Sequence, residues 1–187
     1  MKLLCVLFGL LALCIVPTKA QDAAPVEVSA GYTFRVYATS NSSSHVNMNG
    51  WYASGDYNVL HWLGAAAEVS GAYKDEGING NLSIYSFLVG PQIYPFSHRH
   101  KLTPFVHVLF GEGFYRVHYP AYAGFPSEVA TDAKPSWEAG GGLDLARTDH
   151  WEIRLIQADF GQTRFVGASS QANYRLSVGV VYRFGGK

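Results

Sequence analysis

The sequence has 187 residues, of which only 15% are charged, and its 14 basic residues are balanced by 14 acidic ones. Its 20 glycines, 12 tyrosines and 11 phenylalanines favour an all-β protein over a helical one. A chain without an excess of basic residues gives no electrostatic reason to expect nucleic acid as a partner.

The first 20 residues have the pattern of a secretory signal peptide. Lys2 provides the positive start, an apolar run extends over residues 3–16, and the small residue Ala20 ends the segment. The apolar run is shorter than the roughly 20 residues that a transmembrane helix needs, which argues against a membrane anchor. We therefore predict a signal peptide at residues 1–20 and a single domain at residues 21–187.

Both cysteines of the sequence, Cys5 and Cys14, lie within the predicted signal peptide. The mature chain is therefore expected to have no disulfide and no cysteine ligand for a metal. His98 and His100 could touch a metal ion from a turn, but no supporting ligands accompany them in the sequence. No cofactor and no metal site are predicted.

Residues 26–37 alternate strictly between apolar and polar side chains, which predicts the first β-strand. Its polar face carries Glu27 and Arg35, opposite a face of valine, alanine and aromatic residues. A polar loop leads to the second and third strands, at residues 48–57 and 60–73, which meet at a tight turn.

Five further strands follow by the same criterion. The connections after the odd-numbered strands are longer and polar, and those after the even-numbered strands are short, which is typical of an up-and-down antiparallel barrel in an outer membrane. Strand lengths of about 10 to 14 residues also fit, because a tilted membrane strand needs about 9 to 11. The five strands are predicted at residues 82–94, 103–117, 136–146, 151–162 and 173–184, and the longest loop at residues 118–135.

The last predicted strand, NYRLSVGVVYRF, carries the most specific pattern in the chain. Ser177, Gly179, Tyr182 and Phe184 match the closing signal polar-x-Gly-x-x-aromatic-x-aromatic of small outer-membrane barrels. The segments WEAGGGLDL and TPFVHVLFGEG also resemble strands of these proteins. The mature chain thus resembles the eight-stranded outer-membrane β-barrel proteins of the OmpA transmembrane-domain type.

This resemblance implies an eight-stranded antiparallel up-and-down transmembrane β-barrel in the bacterial outer membrane. It also implies that the barrel assembly machinery recognises the closing residues Ser177, Gly179, Tyr182 and Phe184, and that outer-membrane lipid surrounds a monomer. The expected role is structural or concerns surface interactions. A narrow pore is the alternative to a closed barrel.

The charged residues of the strands are expected to face the barrel interior, because they alternate with the apolar side chains and so lie on the opposite face of each strand. Ionised groups in so narrow an interior must be paired. Strand adjacency predicts the pairs Arg116–Glu138 and Arg183–Glu27. The predicted interior charges are Glu27, Arg35, Glu68, Glu112, Arg116, Glu138, Asp144, Arg175 and Arg183.

Some positions conflict with this parity. Arg154 and Asp159 are five residues apart, so both can face inward only if a β-bulge lies between them. His107 would face lipid if Glu112 faces inward. Pro91 withholds a ladder donor where a closed barrel has no free edge.

Aromatic residues near the predicted strand ends are expected to form girdles at the two membrane interfaces, with core packing as the alternative for each. They are Trp51, Trp62, Tyr94, Trp137 and Trp151.

Two alternative functions remain open. A lipid-modifying barrel enzyme would need a catalytic group near the external side, and candidates exist there, but no G-x-S-x-G or H-E-x-x-H spacing joins them, so no catalysis is predicted. A soluble extracytoplasmic barrel that binds a hydrophobic ligand would place apolar residues inward and charges outward. The enzyme candidates are His45, His118, Glu128, Asp132 and Ser136.

Overall fold

The computed structural model describes residues 26–38, 45–75, 81–95, 101–119, 128–163 and 171–184. The predicted signal peptide and the metal candidates His98 and His100 lie outside these residues. The described residues form eight strands: β1 (Val26–Ala38), β2 (His45–Asn58), β3 (Leu63–Asp75), β4 (Asn81–Ile93), β5 (Leu102–Tyr119), β6 (Glu128–Ala146), β7 (Trp151–Thr163) and β8 (Gln171–Phe184).

The strands form one closed barrel in which each strand pairs with its sequence neighbours and β8 pairs with β1. Every pairing is antiparallel. Closure gives the ladder no free edge, so the backbone N–H and C=O groups can be paired without water. The predicted up-and-down barrel is confirmed. Across the described segments, no helix is long and apolar enough to span a membrane.

The strands are strongly tilted. We start at Val106 on β5 and step from each residue to its paired residue on the next strand. One full circuit of the barrel returns to β5 at Arg116, ten residues beyond the start. This offset requires tilted strands and leaves an interior just wide enough for side chains to fill.

The barrel has two ends. We call the end with the β2–β3, β4–β5 and β6–β7 connections the turn end, and the opposite end the loop end. In outer-membrane barrels the short turns are periplasmic.

The hairpin of β5 and β6 is longer than predicted, because β6 begins at Glu128 and not at residue 136. Pro135, Lys134 and Asp132 have the composition of a loop, and this obscured the strand in the sequence. Pro135 pairs with Glu112 on β5, whereas the described β6–β7 ladder begins only at Ser136. Proline is tolerated at such a place because no paired residue on a neighbouring strand needs a hydrogen bond from its missing N–H.

The strand alternation places charges inside and apolar side chains outside. Buried interior residues include Glu68, Arg175 and Glu138, whereas Phe110, Leu176 and other large apolar side chains on the outer wall are about half exposed. A soluble carrier of hydrophobic ligands would show the reverse. That alternative is therefore contradicted.

A bulge in β7 resolves one conflict in the sequence. The β7 register shifts between Arg154 and Gln157, so Leu155 and Ile156 both point outward, with exposures of 43% and 48%. Arg154 and Asp159 consequently both face the interior and are buried. Pro91 lies at an interruption of the β4–β5 ladder, between the pairs Val89–Phe110 and Gln92–His107.

Candidate functional site

The centre of the barrel is occupied by Arg175 of β8 and three carboxylates. The Arg175 guanidinium donates hydrogen bonds to Glu68 on β3 and to Asp159 on β7, the latter at 2.8 Å. It also lies 3.3 Å from Glu138 on β6. All four side chains are almost fully buried. Since β3 and β8 are not neighbours, this hub connects opposite walls across the lumen.

A second arginine extends the hub. Arg35 on β1 donates from Nη1 to Glu138 Oε1 at 2.6 Å and from Nη2 to Ser70 Oγ at 3.1 Å. Ser70 shares a further hydrogen bond with Ser86 on β4, at 2.6 Å. Glu138 thus bridges two arginines, and charges buried so deeply are tolerated only when they are paired in this way.

His107 lies in the same network and faces the interior, because Glu112 faces outward and the condition under which His107 would face lipid is not met. Its Nε2 is 2.8 Å from Asp159 Oδ1, and its Nδ1 is 3.4 Å from the Gln92 side chain. Gln157 donates to the other oxygen of Asp159 at 3.0 Å. His107 and Glu112 have opposite parity on β5, so an outward Glu112 places His107 inward.

Arg154 organises the part of the interior nearer the turn end. It donates from Nε and Nη2 to the two oxygens of Asp144, at 2.9 and 3.0 Å, which is the strong bidentate arrangement. Its guanidinium also lies 4.3 Å from the centre of the Phe105 ring. The bulge in β7 makes this arrangement possible by turning Arg154 inward.

At the turn end itself, Arg183 lies between two carboxylates. It donates to Glu152 at 2.8 Å and is 3.3 Å from Glu27, which agrees with the Arg183–Glu27 pair expected from strand adjacency. Glu27 also accepts hydrogen bonds from Asn58 at 3.2 Å and Tyr94 at 3.3 Å.

The described interior contains three more carboxylates than guanidinium groups. Such a charged lumen is unsuited to an apolar ligand, and the side chains of the Arg175 hub meet across it. The buried carboxylates are Glu27, Asp56, Glu68, Glu138, Asp144, Glu152 and Asp159, and the buried arginines are Arg35, Arg154, Arg175 and Arg183. No group of three potential metal ligands occurs within the described segments.

The family model of the outer membrane protein beta-barrel domain matches residues 6–184 of the chain. This chain belongs to the outer membrane protein beta-barrel family. The family and the fold place it in the bacterial outer membrane and confirm the resemblance seen in the sequence.

Several solved structures share the fold of this outer membrane beta-barrel. Neisserial surface protein A is 13% identical with a TM-score of 0.69, over 86% of this chain and 98% of that one. Ail, the attachment invasion locus protein of Yersinia pestis, is 16% identical with a TM-score of 0.62, over 87% and 99%. OprG of Pseudomonas aeruginosa is 9% identical with a TM-score of 0.52, over 87% and 96%. No curated protein sequence matches this chain.

Two of the predicted interior charges face outward on the beta-barrel. Glu112 pairs with outward-facing Phe87, and both Glu112 and Arg116 are exposed. The prediction failed because β5 carries glycines at the inward positions near its loop end, Gly111 and Gly113. Without polar side chains there, the contrast between apolar and polar residues did not identify the interior face. The pair Arg116–Glu138 is therefore wrong as well. The structure places the other seven in the interior: Glu27, Arg35, Glu68, Glu138, Asp144, Arg175 and Arg183.

Glu112→Leu is expected to raise the free energy of unfolding by up to about 1 kcal/mol. A carboxylate on the lipid-facing wall has a depth-dependent cost, smaller than that of lysine or arginine, and the cost is removed with the charge. Urea unfolding in lipid vesicles measures the difference. A variant less stable than the parent would show that Glu112 makes a compensating contact and would contradict this prediction.

Four of the five predicted girdle residues lie on the outer wall. Trp51, Trp62 and Trp151 are exposed by 41, 43 and 51%, and Trp137 is half-buried against the Phe160 ring. Tyr94 is the exception, because it is only 2% exposed and its hydroxyl lies in the interior network of the turn end. Its position just past β4 made it look interfacial, but its parity points inward.

The closing residues of β8 have structural contacts of their own. Ser177 donates to Thr33 Oγ1 at 3.0 Å inside the barrel, and Gly179 pairs with Gly31 of β1. On the outer wall, the Tyr182 ring packs against Trp151 and Phe184, at 4.9 and 4.8 Å between ring centres. Recognition of these four residues by the assembly machinery stays a prediction.

The enzyme candidates are not brought together by any described contact. Ser136 is buried, and its hydroxyl lies 2.8 Å from Thr163 Oγ1 within the wall. Asp132 lies 3.2 Å from Lys134 near the loop end. His45, His118 and Glu128 belong to β2, β5 and β6, but their side chains lie outside the described part.

Sequence reasoning missed several interior residues. Asp56 shares its parity with buried Ser54 on β2, and this signal was available. Glu152 alternates with outward Trp151 and Ile153 in the same way. Gln157 could be placed only once the β7 bulge was known, because the bulge reverses the count along the strand.

Proposed function

We propose that this protein is a closed, non-catalytic outer-membrane barrel with a structural and surface-facing role. The observation that carries the proposal is the Arg175 hub, which joins β3, β6, β7 and β8 across the lumen. A barrel filled by paired charges is a rigid wall-to-wall support and presents its loop end to the cell exterior. The proposed state is a monomer surrounded by outer-membrane lipid.

Two observations support a surface role. The β5–β6 hairpin carries strand structure up to Tyr119 and from Glu128, so it reaches further at the loop end than the sequence had predicted. Two of the similar structures are named as Neisserial surface protein A and as an attachment invasion locus protein. At 13 and 16% identity, these similarities do not identify a binding partner of this chain.

The refolded protein is expected to show no sustained ionic conductance in planar lipid bilayers. Arg35 and Arg175 meet Glu68, Glu138 and Asp159 across the lumen, and we expect this hub to interrupt a water-filled path for ions. Single-channel recording tests this, with heat-modifiable gel mobility as the check that the barrel is folded. A steady open state in the folded parent would contradict a closed barrel and favour the narrow pore.

The structural and surface parts of the role can be separated in cells. A deletion strain is complemented either with the full chain or with a variant in which residues 120–127 are replaced by a short glycine-serine link. Rescue of detergent resistance by both proteins would support a structural role carried by the barrel. Rescue by the full chain alone would support a role for the loop end, and rescue by neither would contradict the proposal.

A further inference from the structure

The lipid-facing wall has a recess in the turn half of β2, β3 and β4. Gly55 lies opposite Ala67, and Ala65 lies between Tyr57 and Pro91 in the ladders. These small residues floor an apolar groove of about 430 Å³, bordered by the larger side chains of Tyr57 and Val89. A second apolar groove, of about 480 Å³, lies beside Ala30 and Val178 but has no turn with an exposed tryptophan among its lining residues. Other parts of the wall carry large side chains such as Phe87, Phe110 and Leu176.

We propose that this groove binds one acyl chain of a phospholipid from the periplasmic leaflet. The groove opens onto the wall that faces the membrane, so the hydrocarbon of the bilayer reaches it without any conformational change. Its position near the turn end corresponds to the depth of the periplasmic leaflet. A chain that lies in the recess makes van der Waals contacts on several sides, whereas a chain on a convex wall makes them on one.

The turn below the groove supplies an interfacial anchor. Residues 59–62 connect β2 to β3, and Leu60 and Trp62 are exposed by 41 and 43%. The turn is held in place, because the Tyr94 N–H donates to the Trp62 carbonyl at 2.8 Å and the Leu60 N–H donates to Leu63 at 2.9 Å. Tryptophan prefers the headgroup level, so the headgroup of the bound lipid would lie beside this turn.

A second copy of the barrel does not suit the recess. In a two-fold dimer the same patch meets itself, so one concave groove would face another and leave the space unfilled. An acyl chain is flexible and narrow enough to follow the floor between Tyr57 and Val89. The shape therefore favours lipid over self-association.

Gly55 offers a way to fill the groove without disturbing the barrel. A Cβ placed on Gly55 would meet no heavy atom within 4 Å, so a larger side chain there extends into open space. Isoleucine also suits a strand better than glycine does. Ala158 on β7 is an exposed, outward-facing position on another part of the wall, so Ala158→Ile serves as the matched control.

The test uses the full chain refolded in detergent micelles, with palmitoyl-oleoyl phosphatidylglycerol or phosphatidylethanolamine added, and native mass spectrometry of the bound lipid. The parent and Ala158→Ile are expected to retain one phospholipid, and Gly55→Ile is expected to retain about tenfold less. Heat-modifiable mobility shows that each variant is folded.

Three results would overturn the proposal: retention by Gly55→Ile that equals the parent, no retained lipid in the parent, or a parent dimer that Gly55→Ile disrupts. The first would mean that lipid binds elsewhere on the wall, and the last that a second copy occupies the groove. None of these results depends on whether the barrel conducts ions. The first two leave the proposed function unaffected, whereas a parent dimer would also contradict the proposed monomer.

Discussion

Arg175→Met is expected to lower the free energy of unfolding by about 3–5 kcal/mol, the usual cost of removing one partner from a buried ion pair. The variant leaves Glu68, Glu138 and Asp159 buried in the interior without the cation that bridges them. Arg35 still compensates Glu138, but it forms no described ion pair with the other two. Urea unfolding in lipid vesicles, followed by tryptophan fluorescence, measures the loss.

Arg116→Met is the matched control for this prediction. It removes the same charge from an exposed outward position, where a substitution changes stability by no more than about 0.5 kcal/mol. Equal losses in the two variants would mean that Arg175 contributes only as a surface charge does. That result would contradict the hub as the support of the barrel.

Gly179→Val is expected to prevent closure of the barrel between β8 and β1. A Cβ at Gly179 would overlap the carbonyl oxygen of Ala30 and lie 2.6 Å from the Tyr52 hydroxyl, because Tyr52 packs over the Gly31–Gly179 pair. Such overpacking against backbone costs about 3 kcal/mol. Refolding in detergent without any cellular factor, followed by heat-modifiable gel mobility, should show little compact barrel.

Phe184→Ala separates this structural role from recognition by the assembly machinery. Phe184 is 49% exposed on the outer wall, so its loss should leave refolding in detergent close to that of the parent. If Phe184 belongs to an assembly signal, the same variant should reach the outer membrane in lower amounts in cells. Normal refolding of Gly179→Val would contradict a steric role for this glycine, and normal amounts of Phe184→Ala in cells would contradict the signal.

Strand number, topology and the inward side of β1 and β8 followed from strict alternation, because a period of two leaves one choice of face once the apolar side is assigned to lipid. Glu27, Arg35, Arg175 and Arg183 were placed on this basis. Alternation failed on β5, where inward glycines at Gly111 and Gly113 removed the contrast between the two faces.

Local sequence determined that this chain forms eight amphipathic strands with charged inner faces, because side-chain alternation and turn composition are properties of neighbouring residues. Only the tertiary structure decided which charges meet. Arg175 reaches Glu68 on a strand that is not its neighbour, and Glu138 is bound by Arg35 and not by Arg116. These contacts depend on the barrel shear and on one extra residue in β7, and both arise from how the ladders close around the axis and not from any single strand.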